Sequence, residues 1–393
     1  MSSLAWLDTD ESQQRLMNEL LEAFKDQSSV DELGIGVIRD AIANALFPGT
    51  SVLQTRVRYM LFVGWLLRDV ARRGLPADRA ASKLRASEVS LIESLITGGE
   101  TTGVIGREAR ARLKRMPSAA YWAGLRTWGL RTWNVTLNGH LRAVSGHRDV
   151  TGDHAEEDAA RSESRGLDPA LPPMPEDLLT SATFDLTEGE ANYLRDRIAA
   201  SCPGTLLAWL ALEGQPADSG KNVWHHPQFA EFPDQHRNLV EHGRSFAHVI
   251  QGAPLLYNLM LAQKLEDEDS VEEYEFMLNA WRDGLAAEGT LKTWNTTEFW
   301  IRIRTLNPRL PISTQSFVME WLAVAGSRGL ASNGQARRLI ATRERRLKGS
   351  RARLDNPKAL DAWTGASGLV ELDYRWFVAG RHLNDIYAGA GVE

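Results

Sequence analysis

Cysteine is nearly missing from this chain: Cys202 is the single one in 393 residues. One thiol excludes an internal disulfide and every thiolate-rich metal centre, and it fits a reducing cytoplasm. Cys202 precedes Pro203-Gly204 at an expected helix end, where a buried thiol is expected rather than a nucleophile. Long apolar runs are missing too. The most apolar stretch, Tyr59 to Leu67, is nine residues bracketed by Arg56, Arg58, Arg68 and Asp69. A helix that crosses a bilayer needs about 20. The start, Met-Ser-Ser-Leu-Ala-Trp-Leu-Asp, has neither the basic stretch nor the apolar core of a signal peptide. A cytoplasmic protein with no membrane partner is expected. A surplus of positive charge is also absent. The net charge is −6, so contact with nucleic acid would need a local basic patch rather than a bulk field. No Gly-x-Ser-x-Gly, dinucleotide-binding glycine pattern, kinase set, Cys-x-x-Cys or His-Glu-x-x-His occurs. No cofactor and no metal site are expected, and no reaction is indicated.

What is present is a folded composition, 43% hydrophobic and 24% charged, with 13 tryptophans. The chain is too long for one hydrophobic core, so several domains are expected. Helical spacing recurs along it. Residues 10–25 place Leu16, Leu20 and Phe24 four apart. Ser29 to Glu32 has the pattern of a capping box, and a helix is expected over 37–46. Thr50 or Ser51 is expected to cap a helix over 52–73, apolar on nearly every face and so central to a core. A short helix over 87–97 and a glycine-rich loop over 98–106 follow. Capping boxes at Thr187–Glu190 and Ser270–Glu273 open further helices. Residues 145–177, rich in charge and closing with three prolines, read as a polar linker. Strand signals are confined to 182–186 and 369–372. The fold class expected is mainly α: helical blocks over 1–144 and 178–334, the linker between them, a basic C-terminal segment over 335–393, and at most a small β element.

Two tryptophans stand in a tandem echo, Leu125-Arg126-Thr127-Trp128-Gly129 followed by Leu130-Arg131-Thr132-Trp133-Asn134. On one continuous helix from Pro117, Tyr121, Leu125, Trp128, Thr132 and Val135 form a core stripe, while Trp122 and Trp133 lie about 100° or more away from it. Those two rings are expected at a second packing surface or protein interface, with Arg126 and Arg131 at its edges.

Four segments are candidates for function. Between Arg337 and Arg353 stand eight cations (Arg337, Arg338, Arg343, Arg345, Arg346, Lys348, Arg351, Arg353) and one acid, Glu344. Leu339, Ile340, Leu347 and Leu354 share a sector, so the helix could dock by that strip and offer cations to phosphates. The competing reading is a solvated face, or one paired with the seven acids between Glu266 and Glu275. The second candidate is Arg107 to Arg131, where Arg115 and the helix N-terminus at Pro117 suggest a phosphate site. The third is Gly49-Thr50-Ser51 with Arg56 and Arg58 one turn on, an anion site or the edge of a nucleotide-processing site with Asp31, Glu32 and Asp40. Arginines paired with those acids are the bland alternative. The fourth is histidine. Five of the nine, His225, His226, His236, His242 and His248, cluster, but the six-residue steps spread the rings around a helix and do not suit a metal.

Trp6-Leu-Asp8, Asp31 to Asp40, Leu46 to Ser51, Thr55 to Tyr59 and Phe62 to Trp65 resemble blocks of a bacterial family known only as a domain of unknown function. Leu113 to Trp122, Leu372 to Trp376 and Leu383-Asn-Asp385 are similar to its later blocks. The resemblance implies a place in anti-phage defence islands, near helicase, phospholipase-D-like and methyltransferase genes, with other defence proteins as partners and DNA nearby. It implies no reaction. A non-enzymatic subunit is expected, a nucleic-acid-processing enzyme or a pure scaffold being the alternatives.

Overall fold

Backbone hydrogen bonding in this chain goes into helices. The computed structural model describes residues 31–145 and 165–392. Along them run α1 (Gly36–Leu46), α2 (Tyr59–Arg72), α3 (Ala77–Thr97), α4 (Pro117–Thr127) and α5 (Leu137–Val144). Then come α6 (Glu188–Ser201), α7 (Leu206–Glu213), α8 (Asp234–Ile250), α9 (Gly252–Leu265), α10 (Glu268–Glu288) and α11 (Thr290–Thr293). The last are α12 (Thr296–Leu306), α13 (Ile312–Ala325), α14 (Gly334–Lys348), α15 (Pro357–Leu360) and α16 (Trp376–Ala390). Among the described residues the β structure is one isolated antiparallel bridge, Arg131 with Leu167. The fold is mainly α. The helix expected over 10–25 lies outside the described residues.

Two compact units emerge, and they interleave along the chain. The first takes residues 1–42 and 238–374, the second 43–237 and 375–393. Consecutive blocks with boundaries at 144, 177 and 334 were expected from composition. The units differ because packing closes between helices distant in sequence. In the first unit α9 is buried along Gly252 to Ala262, and α10 and α14 pack on it. In the second unit α2 is buried from Tyr59 to Leu67, as its all-round apolar sequence predicts, and α3 and α4 flank it. There α16 closes against α6 and α7.

Several boundaries move for identifiable reasons. The helix expected from residue 52 begins at Tyr59. The N–H groups of Thr55 and Arg56 donate to the Tyr121 hydroxyl at 2.8 and 3.2 Å, and that of Val57 donates to Asp385 at 3.0 Å. Amides engaged by distant acceptors cannot enter the i→i−4 ladder. Thr50 caps nothing; its hydroxyl donates to the Phe47 carbonyl. In α3 the start is ten residues earlier than the apolar periodicity suggested, because only Ala80 and Leu84 are buried in its first turns. The helix expected to run through Val135 stops at Thr127. Gly129 adopts φ 74°, and an added Cβ would meet the Arg197 guanidinium at 2.3 Å. Beyond it the N–H of Thr132 donates to Gly166, and that of Asp168 to Leu130, both at 2.9 Å.

That pairing also corrects the linker. From Arg165 onward it is packed: Leu167 and Leu171 are buried, and the Trp65 indole donates to the Pro172 carbonyl at 2.8 Å. The Thr187–Glu190 capping box forms with both reciprocal bonds. The Ser270 box does not. Asp267 caps α10 three residues earlier by accepting from the Ser270 N–H. Asp31 serves the start of α1, accepting from Ile35 and Gly36 at 2.9 and 2.7 Å, while Ser29 of the expected capping box lies outside the described residues. No strand forms at 182–186 or 369–372; the N–H of Ala182 donates to Ser94 and that of Phe184 to Glu100.

Candidate functional site

Helix α14 starts where Asn333 accepts from the N–H groups of Gln335 and Ala336, and it stops at Gly349 with φ 56°. Its inner face is not the leucine strip that the sequence suggests. Ala336, Ile340, Arg343 and Glu344 are buried, while Leu347 is 43% exposed. A buried arginine and a buried glutamate on one face need partners, and both have several.

The eight cations divide into two groups of four. Arg343 donates to the carbonyls of Leu33, Gly34 and Ser313 and to the Thr314 hydroxyl, and it lies over the Phe317 ring. Arg337 donates to Ala331 and Gln263 at 2.8 and 2.7 Å. Lys348 pairs with Glu32 and, at 3.1 Å, with Glu344. Arg353 donates to Glu32 and to Ser367, both at 2.8 Å. Glu344 also accepts from the N–H groups of Arg353 and Leu354 and from the Tyr257 hydroxyl. Arg337, Arg343, Lys348 and Arg353 are thus engaged within the first unit, so Arg337, Lys348 and Arg353 do not stand free on the helix surface as the sequence suggests. The other four, Arg338, Arg345, Arg346 and Arg351, are exposed. Arg345 forms a two-bond pair with Asp355 at 2.7 and 2.9 Å. Arg338, Arg346 and Arg351 have no carboxylate within ion-pair distance among the described residues.

The acidic run Glu266 to Glu275 does not neutralise α14. No ion pair joins it to residues 337–353 among the described residues. Its Asp267, Glu268 and Asp269 instead occupy the cap and first turn of α10, where the helix dipole favours negative charge.

In the second unit the expected anion site around Thr50, Arg56 and Arg58 is not formed. Arg56 is paired with Asp385 at 2.9 Å and lies over Phe184. Arg58 pairs with Glu190 at 2.9 Å and donates to the Thr183 carbonyl. The acids named with them are engaged in the first unit, Asp31 with backbone amides, Glu32 with Lys348 and Arg353, and Asp40 with Arg39. The internal partners of Arg56 and Arg58 are therefore Asp385 and Glu190, not the three nearby acids that spacing suggested.

Arg131 is buried, at 3% exposure, and its guanidinium lies 4.0 Å over the Trp122 ring. It donates to the carbonyls of Trp133 and Val135, so it is an intramolecular clamp and not a phosphate contact. Trp122 and Trp133 are each half-buried, and both rings lie against His140, with centroids 5.6 and 5.3 Å away. A continuous helix would hold them on one side but about 16 Å apart along its axis; the break at Gly129 brings them onto one imidazole. Burial, with Arg131 adding to it, lowers the His140 pKa to about 4. Arg115 and Arg126 remain exposed. The helix end beside Arg115 offers no anion site, because the Ser118 N–H already donates to Glu88 at 2.7 Å.

Glu88 is buried deeply enough that its carboxyl is pushed up to about 7. A raised carboxyl pKa gives a stability contribution that is full below the unfolded value and lost as pH rises through the folded one. Stability should therefore fall between about pH 5 and 7 by roughly 3 kcal/mol from this residue. Glu88→Gln should flatten that slope in calorimetric scans across the interval; an unchanged slope would exclude Glu88 as its source.

Cys202 is buried against the Thr127 carbonyl, and burial pushes its thiol up to about 11. Of the clustered histidines, His226 packs on Phe232 and Trp376, His242 accepts from the Trp294 indole, and His248 pairs with Glu288. Among the described residues no group of three or more His, Cys, Asp or Glu is placed to hold a metal ion, and no helix is long and apolar enough to cross a membrane. The residues missed from sequence are the buried acids Glu344, Glu190, Glu88 and Asp385. Two of them carried a signal, Glu190 as the closing residue of the Thr187 capping box being one. Glu344 is the lone acid in a run of cations, one helical turn before Lys348.

A family model described as a family of unknown function, DUF6361, matches residues 1–391, so the chain belongs to that family. No curated protein and no solved structure matches it.

Proposed function

We propose that this DUF6361 protein is a non-enzymatic subunit that binds a polyanion, duplex DNA in the first instance, through the solvent face of α14 and the turn after it. The observation that carries this reading is the sorting of charge there. The acids near the segment are committed to Lys348, Arg353 and Arg345, which leaves Arg338, Arg346 and Arg351 exposed without a carboxylate partner among the described residues. Arg338, Arg345 and Arg346 lie within about 100° of one another on the helix, so one strand of phosphates can approach them together. Arg115 and Arg126 are a second exposed set in the other unit. A role beside other proteins of a bacterial anti-phage defence assembly rests on the family resemblance, and a cytoplasmic setting on the single cysteine.

Fluorescence anisotropy with a short duplex tests this. Three phosphate contacts give a slope of about −2.7 in log K against log salt, hence roughly 40-fold weaker binding at 200 mM than at 50 mM. Reversing Arg338, Arg346 and Arg351 to Glu should abolish that slope. Absence of binding by the wild type at low salt would remove the DNA reading and favour a scaffold with the acidic 266–275 face as its partner surface. Divalent-metal-dependent loss of the duplex would favour a processing enzyme.

A further inference from the structure

Lys348, at the end of α14, and Arg353, in the turn beyond it, converge on one carboxylate, that of Glu32 from the segment before α1. The Glu32 side chain is 4% exposed, whereas Lys348 and Arg353 keep 19% and 22% exposure. An ammonium, a guanidinium and the neighbouring Ser367 hydroxyl are the groups by which proteins hold a phosphate oxygen. Glu344 is fixed independently by two backbone N–H groups and Tyr257, so it stays when Glu32 leaves. With Glu32 in place the two cations and two carboxylates cancel. Without it, a part-buried positive charge remains and calls for an anion.

We propose that Lys348, Arg353 and Ser367 form an oxyanion pocket that Glu32 occupies as an internal stand-in, and that a phosphate of the bound polyanion displaces it. This step rests on the polyanion reading given above. Displacement frees the segment Asp31 to Gly34, which Glu32 and the Arg343 contacts to Leu33 and Gly34 hold on α14. The chain then reports polyanion binding as a change in its N-terminal segment.

Two measurements on the full chain test the proposal. Inorganic phosphate should raise the Tm of Glu32→Ala by about 5 °C at a hundredfold excess over its dissociation constant, leave the wild type unchanged, and fail on Glu32→Ala/Lys348→Ala. If Glu32→Ala does not fold, Glu32→Gln carries the same measurement. Duplex DNA should speed amide exchange at Ile35 and Gly36 at least tenfold in the wild type, since Asp31 holds both amides. DNA that binds without that change overturns the displacement and leaves the polyanion reading standing. No DNA binding overturns the polyanion reading and with it the displacement; the phosphate measurement then decides the pocket alone. No stabilisation of either Glu32 variant by phosphate overturns the pocket.

Discussion

Glu344→Ala should destabilise the first unit by about 3–5 kcal/mol, the typical cost of removing one partner from a buried charge cluster. The carboxylate has no exposed surface and touches four donors: Tyr257, Lys348 and the N–H groups of Arg353 and Leu354. Its loss leaves two backbone N–H groups without an acceptor and Lys348 with Glu32 and the Tyr257 hydroxyl. Each orphaned buried donor adds about 1–3 kcal/mol before any relaxation. Urea melts followed by calorimetry on the full chain would measure this. A change under 1 kcal/mol would mean that water replaces the carboxylate and that the cluster is not a structural element. Acid should act on the same group. Burial alone would raise the Glu344 carboxyl, but its hydrogen bonds, Tyr257 first, outweigh burial and hold it below the ordinary value. A depressed carboxylate contributes stability above its unfolded pKa, and that contribution is lost as pH falls through the folded one. Glu344→Gln should therefore be less sensitive to acid than the wild type below about pH 4.5.

Asp385→Ala should cost the second unit a similar amount, about 3–5 kcal/mol. Asp385 joins α16 to the extended segment before α2 by three contacts. It pairs with the Arg56 guanidinium through Nε and Nη2, and it accepts from the Val57 N–H at 3.0 Å. Its side chain is 8% exposed, so water replaces it poorly. The partner change, Arg56→Ala, should cost less, because Asp385 keeps its Val57 bond and can take up a proton. Asp385→Asn should fall between them by keeping an acceptor for Val57. Tyr121→Phe removes the acceptor for Thr55 and Arg56 in the same segment and should cost about 1–3 kcal/mol. A double-mutant cycle on Arg56 and Asp385 should give a coupling between 0.5 and 3 kcal/mol. A coupling near zero would show that the pair acts through separate contacts.

These residues also mark how far reading from sequence reaches. The Arg337–Arg353 run was legible as a basic amphipathic helix, and the central apolar helix from Tyr59 as buried, because both depend on a period of 3.6. The Thr187–Glu190 cap was legible because its bonds lie within one turn. The extension of the α4 echo through Val135 failed at Gly129, where a positive φ and the pairing with Gly166 end the helix. Periodicity cannot register that event, since Trp128 and Thr132 continue the pattern on either side of it.

By itself the sequence determined the helical class, the apolar core of α2 and the Thr187–Glu190 cap of α6, all governed by groups within a few residues of one another. It also determined that eight cations stand between Arg337 and Arg353. Only the tertiary structure decided which of them face solvent. Glu32 answers Lys348 and Arg353 across more than three hundred residues, as Asp385 answers Arg56. A burial strong enough to need a counter-charge is set by packing between helices, and packing between helices has no local code.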